Sequence, residues 1–261
     1  MASHERRVAI DAARDAGDLL RSQVRGTRRI SYKGGPTDLV TEMDRRAEAL
    51  ILERLAAAFP DDGVLSEEAG ERGGSSGRRW IVDPLDGTTN YAHGVPVFAV
   101  SIALQAAARV TLGVVYDPNL GELFVAERGG GAFLGEQRCR VSATAVLDES
   151  LLTTGFPYDV RETADNNLRE YAAFCVRARA VRRIGSAVLD LAWVAAGRYD
   201  GFWELRLGAW DVAAGALLVE EAGGRVTDLL GGPLDLERPT VVATNGRIHE
   251  AVLATLKQVR G

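Results

Sequence analysis

Two carboxylates, Asp83 and Asp86, stand three residues apart behind the run Trp80-Ile81-Val82, within WIVDPLDGTTNYAHG (80–94). At the end of a core strand such a pair repels itself and loses hydration, which protonation, an Arg or Lys partner, or a cation would relieve. Short acidic spacing with no His or Cys beside it suits a hard, oxygen-preferring cation such as Mg²⁺. Pro84 fixes part of the backbone between the acids, so a turned Asp-Pro-Leu-Asp can aim both side chains and the Leu85 carbonyl at one point. Gly87, Thr88 and Thr89 then offer backbone N–H groups and hydroxyls, a natural phosphate site if a helix begins there. A metal cluster beside a phosphate cradle is the equipment of metal-assisted phosphoester hydrolysis.

Three other acidic stretches could supply ligands: Asp38 and Asp44 in DLVTEMD (38–44), Glu67 and Glu68 in LSEEAG (65–70), and Asp211 in AWDVAAG (209–215). Each has a plainer reading. Asp211 suits the first turn of an apolar helix, favoured there by the macrodipole. Asp44 completes a Thr-x-x-Asp capping box with Thr41. Glu67 and Glu68 read as a solvated pair, and Asp-Pro-Leu-Asp-Gly as an ordinary turn. Residue types alone leave these alternatives open.

Apolar spacing predicts helices over 5–25 and 41–58, the second stopped by Pro60 and Asp-Asp-Gly. A polar loop, GERGGSSG (70–77), leads to a strand at 80–82. Strands at 98–104, 110–116, 121–127 and 132–142 follow, punctuated by Gly, Pro and Asn as antiparallel hairpins are. A strand at 151–156, helices at 165–178 and 186–196 (with Gly197 as C-cap), a strand at 201–204 and a helix at 210–224 come next. A strand at 239–244 and a helix at 247–259 end the chain. Strands are grouped rather than alternating with helices, which predicts a layered α+β fold, read as one domain over 1–261.

The bulk numbers narrow the function. A content of 46% hydrophobic and 26% charged residues is that of a globular protein. The net charge of −5 lacks the basic excess of a nucleic-acid binder, so no nucleic-acid partner is expected. Cys139 and Cys175 form no framework, which fits a reducing cytoplasm. The N-terminus has no apolar signal region, and VPVFAVSIAL (95–104) is too short to span a bilayer, so a soluble, cytoplasmic protein without membrane contact is expected.

DPLDGTTNY, the downstream WDVAAGALLVEEAGG and the upstream SEE, in this order, resemble the inositol monophosphatase family of Mg²⁺-dependent, lithium-sensitive phosphatases. DLVTEMD and RRIGSAVLDLAWVAAGRYDGFWE (182–204) extend the resemblance over nearly the whole chain. It implies a five-layered α/β/α/β/α sandwich, usually a homodimer. It implies that Glu67, Asp83 and the Leu85 carbonyl hold one Mg²⁺, that Asp83, Asp86 and Asp211 hold a second, and that Glu67 helps hold a third. Glu67 and Thr88 would orient the attacking water, with Asp83 beside them. The Gly87 and Thr88 N–H groups would bind phosphate oxygens, and Asp86, Ala187, Glu204 and Asp211 would line a hydroxyl-rich alcohol. Asp44 would support the third ion and the segment around Lys33. Ser66 stands where many members carry Gly, with no functional loss expected. The implied reaction is hydrolysis of inositol monophosphate, or a similar polyol phosphate, by metal-activated water without a covalent enzyme intermediate.

Relatives with the same motifs act on fructose 1,6-bisphosphate, histidinol phosphate or phosphoadenosine phosphate, and discrimination falls to Glu204 and the segment near 156–165. A haloacid-dehalogenase-like phosphatase needs Asp-x-Asp-x-Thr, one residue shorter than Asp83 to Thr88. GGSSG (73–77) formally matches a hydrolase elbow, but with no strand expected before it Ser75 reads as loop, and His4, His93 and His249 as incidental. A regulatory role, binding a protein or RNA partner on a phosphatase fold, is the alternative from a different class; intact acids at every ligand position weigh against it.

Overall fold

A computed structural model describes residues 3–24, 30–32 and 39–261. Helix α1 (His4–Gln23) starts at Ser3, whose side chain accepts the Arg6 N–H, and buries a face of small residues: Ala9, Ala12, Ala13, Ala16 and Gly17. Strands β1 (Ile30–Tyr32) and β2 (Leu39–Thr41) pair antiparallel. Helix α2 (Glu42–Ala58) opens on the expected Thr41–Asp44 capping box. Then come β3 (Gly63–Ser66), β4 (Gly70–Arg72), β5 (Arg78–Asp86) and the short α3 (Thr88–His93). A meander follows: β6 (Ala99–Ala106), β7 (Arg109–Asp117), β8 (Glu122–Glu127), β9 (Gly131–Leu134) and β10 (Gln137–Arg138).

The remaining elements are β11 (Leu151–Thr154), α4 (Leu168–Cys175), β12 (Ala180–Arg182), α5 (Ala187–Ala195), β13 (Gly201–Glu204), α6 (Ala209–Glu221), β14 (Arg225–Thr227), β15 (Val241–Thr244) and α7 (His249–Arg260).

Strands β10-β9-β8-β7-β6-β5-β3-β4 form one sheet, and β12-β11-β13-β15-β14 form another. The first is antiparallel, as the hairpin punctuation predicts, except that β3 runs parallel to β5. Side-chain alternation distributes the cores. Trp80 and Val82 pack with α1 and α2 on one face, while Ile81 packs on the other with α5 and α6. In the second sheet Phe202 and Ala243 face that same middle helical layer, whereas Trp203 and Val242 face Phe174 of α4 and Val252 and Leu256 of α7. The result is the expected α/β/α/β/α order. Both sheets are covered on both faces, so their strands read as continuous apolar runs rather than alternating ones.

Two expectations need correcting. The segment 70–77 is not all loop: β4 is an exposed edge strand paired with β3, invisible because its residues, Gly-Glu-Arg, carry no apolar face. It directly precedes GGSSG, so the statement that no strand stands there fails; Ser75 still sits in a turn bonded to Asp61 and is followed by β5, not a helix. The predicted strand over 132–142 splits into β9 and β10 around a turn at the positive-φ Gly135. Among the described residues no helix is long and apolar enough to cross a membrane.

Candidate metal and phosphate site

The acids converge through strand irregularity. In a regular strand residues three apart point to opposite faces, which would separate Asp83 from Asp86. The β5–β6 ladder holds register to Asp83↔Ser101, then shifts before Asp86↔Ala99, at the position of Pro84. Asp83, two residues from Ile81, faces the α5/α6 layer, and the shift turns Asp86 towards it as well. Helix α6 brings Asp211 in its first turn, and oxygens of Asp83, Asp86 and Asp211 lie within 4.8 Å of one another. Glycine permits the close fit behind them: a Cβ on Gly113 of β7 would stand 2.8 Å from the Ala214 carbonyl of α6.

Parallel pairing of β3 with β5 sets Ser66 beside Val82, so Glu67 lies next to Asp83, and its N–H reaches the Val82 carbonyl at 3.3 Å. Behind the cluster, Asp44 is fully buried. Its Oδ2 accepts the Thr41 N–H at 2.8 Å and the Thr41 hydroxyl at 2.6 Å, while its Oδ1 is 3.0 Å from the Thr88 hydroxyl. Thr88 Oγ1 is also 3.0 Å from the Leu85 carbonyl, and the Leu85 N–H donates to Asp83. Asp211 likewise accepts the Gly208 N–H at 2.6 Å.

Burial and mutual repulsion hold the cluster's carboxyls above their ordinary range, a cost that protons or a cation would relieve. Burial, then Glu67, Asp86 and Asp211, push the Asp83 carboxyl well above its usual range. Burial, then Asp86 and Glu67, do the same to Asp211. Asp86 rises to about 6 through burial, held back by the Ser186 hydroxyl and the N–H groups of Val188, Ala187 and Gly87. Buried oxygen donors of one sign, without nitrogen or sulfur, fit a hard divalent cation such as Mg²⁺.

A cavity of about 610 Å³ opens over the cluster, lined by Glu67, Asp86, Gly87, Thr88, Ala187, Glu204 and Asp211 among others. Glu204 is pushed up to about 8 by burial, offset in part by Arg183. A Cβ on Gly155 would overlap its carboxylate, so a larger residue there would require the Glu204 side chain to move. Phe156, Pro157 and Tyr158 wall the cavity, and Arg206 ties their segment down by donating to Asp159 and to the Asp165 carbonyl, both at 2.7 Å. Arg183 lines the cavity as well. Lys33 and Asp38 lie outside the described residues.

Sequence reasoning missed several supporting residues. Ser186 caps α5 by accepting the Leu189 N–H and donates to Asp86, whose Oδ2 also takes the Val188 N–H at 3.1 Å. A serine just ahead of an apolar helix was a readable cap signal. Asn90 fastens α3 to the turn before Ser186, its amide reaching the Val97 and Ile184 carbonyls, each at 2.8 Å. Asp190 and Glu48 are buried carboxylates with no local signal beyond their helices.

Comparison with known proteins agrees with this geometry. The profile of the inositol monophosphatase family matches residues 1–260. An inositol-1-monophosphatase of Mesorhizobium japonicum is 47% identical over 247 residues, 94% of this chain and 90% of that protein. The Nus factor SuhB of Pseudomonas aeruginosa is 45% identical over 256 residues, 96% of this chain and 94% of its own. The crystal structure of extragenic suppressor protein suhB from Bartonella henselae superposes with a TM-score of 0.93 at 44% identity, covering 98% of this chain and 99% of that one. The chain belongs to the inositol monophosphatase family, a family of metal-dependent phosphatases.

Proposed function

We propose that the protein is a Mg²⁺-dependent phosphomonoesterase that hydrolyses inositol monophosphate, or a similar small polyol phosphate, to the alcohol and inorganic phosphate. The observation that carries this reading is the convergence of Asp83, Asp86 and Asp211 from distant segments, at the floor of a cavity whose wall includes Gly87, Thr88 and Glu204. In this reading Glu67, Asp83, Asp86, Asp211 and the Leu85 carbonyl hold the cations. When bound, the cations supply charge neutralisation at the phosphoryl oxygens and acidify water.

The chain's own groups do the rest. The Gly87 and Thr88 N–H groups orient the phosphoryl oxygens. Thr88, with its proton committed to Asp44 or the Leu85 carbonyl, turns a lone pair towards the attacking water, and Glu67 helps orient that water. Asp86, Ala187, Glu204 and Asp211 line the space taken by the hydroxyls of the alcohol. Positioning of this kind suits phosphoryl transfer, which needs alignment and charge stabilisation rather than a protein nucleophile. Asp44 supports the third cation and the segment around Lys33 in the same reading, and the whole chain works as one catalytic domain, paired as a cytoplasmic homodimer.

The test is turnover of inositol 1-phosphate, fructose 1,6-bisphosphate, histidinol phosphate and phosphoadenosine phosphate at fixed Mg²⁺, with and without lithium, beside Asp211→Asn. Fastest turnover of the inositol ester, abolished in a folded D211N, is expected; normal turnover in D211N refutes the metal site. A second reading, a regulatory role like that implied by the name of the Pseudomonas relative, is supported by a stoichiometric protein partner together with inactivity on all four esters.

A further inference from the structure

Helix α2 carries a second buried carboxylate one turn after Asp44. Glu48 is 6% exposed, and one oxygen, Oε1, gathers three donors: the Ser66 hydroxyl, the Glu68 N–H at 3.1 Å and the Ala69 N–H at 3.0 Å. These donors bracket Glu67 on both sides. The bend between β3 and β4 therefore closes around a fixed acceptor, and its first residue, Glu67, is the acid set beside Asp83. Residues i and i+4 share a helix face, so Asp44 and Glu48 face the site together, the first holding Thr88 and the second the Glu67 bend. Burying a carboxylate is costly unless donors satisfy it, and three donors on one oxygen are what repay that cost here.

We infer that Glu48 is a positioning residue for Glu67: it sets the bend that aims Glu67 at the cation cluster, and Ser66 is its side-chain partner in doing so. The inference rests on the metal-site reading above, because Glu67 acts there as a ligand. Ser66 thus has a definite contact.

The test uses the full chain with Mn²⁺ alone as probe, free Mn²⁺ being counted by electron paramagnetic resonance. Amide exchange of the 67–69 segment is measured on metal-free protein. In E48A the 68 and 69 amides exchange faster and the Mn²⁺ Kd rises by at least about tenfold, the range seen when residues behind metal ligands are removed. E48Q, whose amide oxygen still accepts, keeps Kd within about threefold. A folded E48A with wild-type Kd and exchange overturns the inference, as does an E48Q that behaves like E48A. If E48A does not fold, S66A decides: a Kd raised by more than about threefold supports the positioning role, and a Kd within about threefold of wild type overturns it. D211N separates the two levels of argument. If D211N binds Mn²⁺ like wild type, or wild type binds none, the cluster reading fails, and the exchange of the 68 and 69 amides still judges the bend.

Discussion

Gly87 follows the last acid of the β5 turn at φ +87°, and the Gly87→Ala substitution puts a number on how tightly that turn is built. An added Cβ would lie 2.8 Å from the Val97 carbonyl oxygen and 3.3 Å from both the Gly185 carbonyl oxygen and the Phe98 Cα, all backbone atoms. The left-handed conformation costs an alanine about 1–2 kcal/mol. Displacing backbone by a few tenths of an ångström in a packed site adds roughly another 1–3 kcal/mol. A total near 3 kcal/mol lowers Tm by roughly 6–12 °C in a chain of this size. Gly121→Ala is the internal control, since Gly121 has φ +68° but nothing within 4 Å of its added Cβ; it should cost only about 1 kcal/mol.

Activity should separate the two variants further. The Gly87 N–H is the proposed phosphate donor and Asp86 adjoins it, so a displacement of this size should lower kcat/KM by about 10–100-fold in G87A and leave G121A near wild type. Differential scanning fluorimetry and steady-state hydrolysis of the preferred ester measure both quantities. The reasoning fails if G87A loses no more Tm than G121A and keeps kcat/KM within about twofold of wild type.

Two more outcomes test the groups around the site. Ser186→Ala removes a donor to a carboxylate and a helix cap together, about 2–4 kcal/mol of stability, and raises the Mg²⁺ concentration needed for half-maximal activity; Ser186→Thr restores both. An S186A as stable as wild type and half-saturated at the same Mg²⁺ concentration refutes the role of the hydroxyl. Glu204 has its pKa raised from 4.5 to about 8, so the metal-free fold holds a proton that the unfolded chain releases, and stability falls as pH rises between those values. Glu204→Gln removes that slope: without metal it matches wild type below pH about 4.5 and exceeds it by a few kcal/mol above pH about 8, whereas parallel Tm–pH curves would refute the assignment.

The sequence made the long elements readable and hid the short ones for physical reasons. Helices α1, α2 and α6 show apolar spacing over three turns or more, and the Thr41–Asp44 cap fixes the start of α2. Edge strand β4 shows none, because its three residues are exposed and its pairing is entirely backbone. The parallel β3–β5 pair, which sets Glu67 beside Asp83, is a long-range choice with no local signature. So too with the register shift at Pro84: residue types announce that the acids have a purpose, whereas only the ladder against β6 reveals that three-residue spacing brings them to one face.

The rival readings of Asp44 and Asp211 need not compete. A carboxylate has two oxygens, and at a helix start one can satisfy backbone donors while the other faces the site. Asp44 divides this way, Oδ2 capping α2 through Thr41 and Oδ1 meeting Thr88; Asp211 gives Oδ2 to the Gly208 N–H while its carboxylate joins the acidic cluster. Capping thus fixes the rotamer of each acid before any ligand arrives, and a fixed rotamer is what preorganisation requires. An acid that looks fully explained by a helix cap is for that reason a good candidate for a site, provided its free oxygen faces other buried charges.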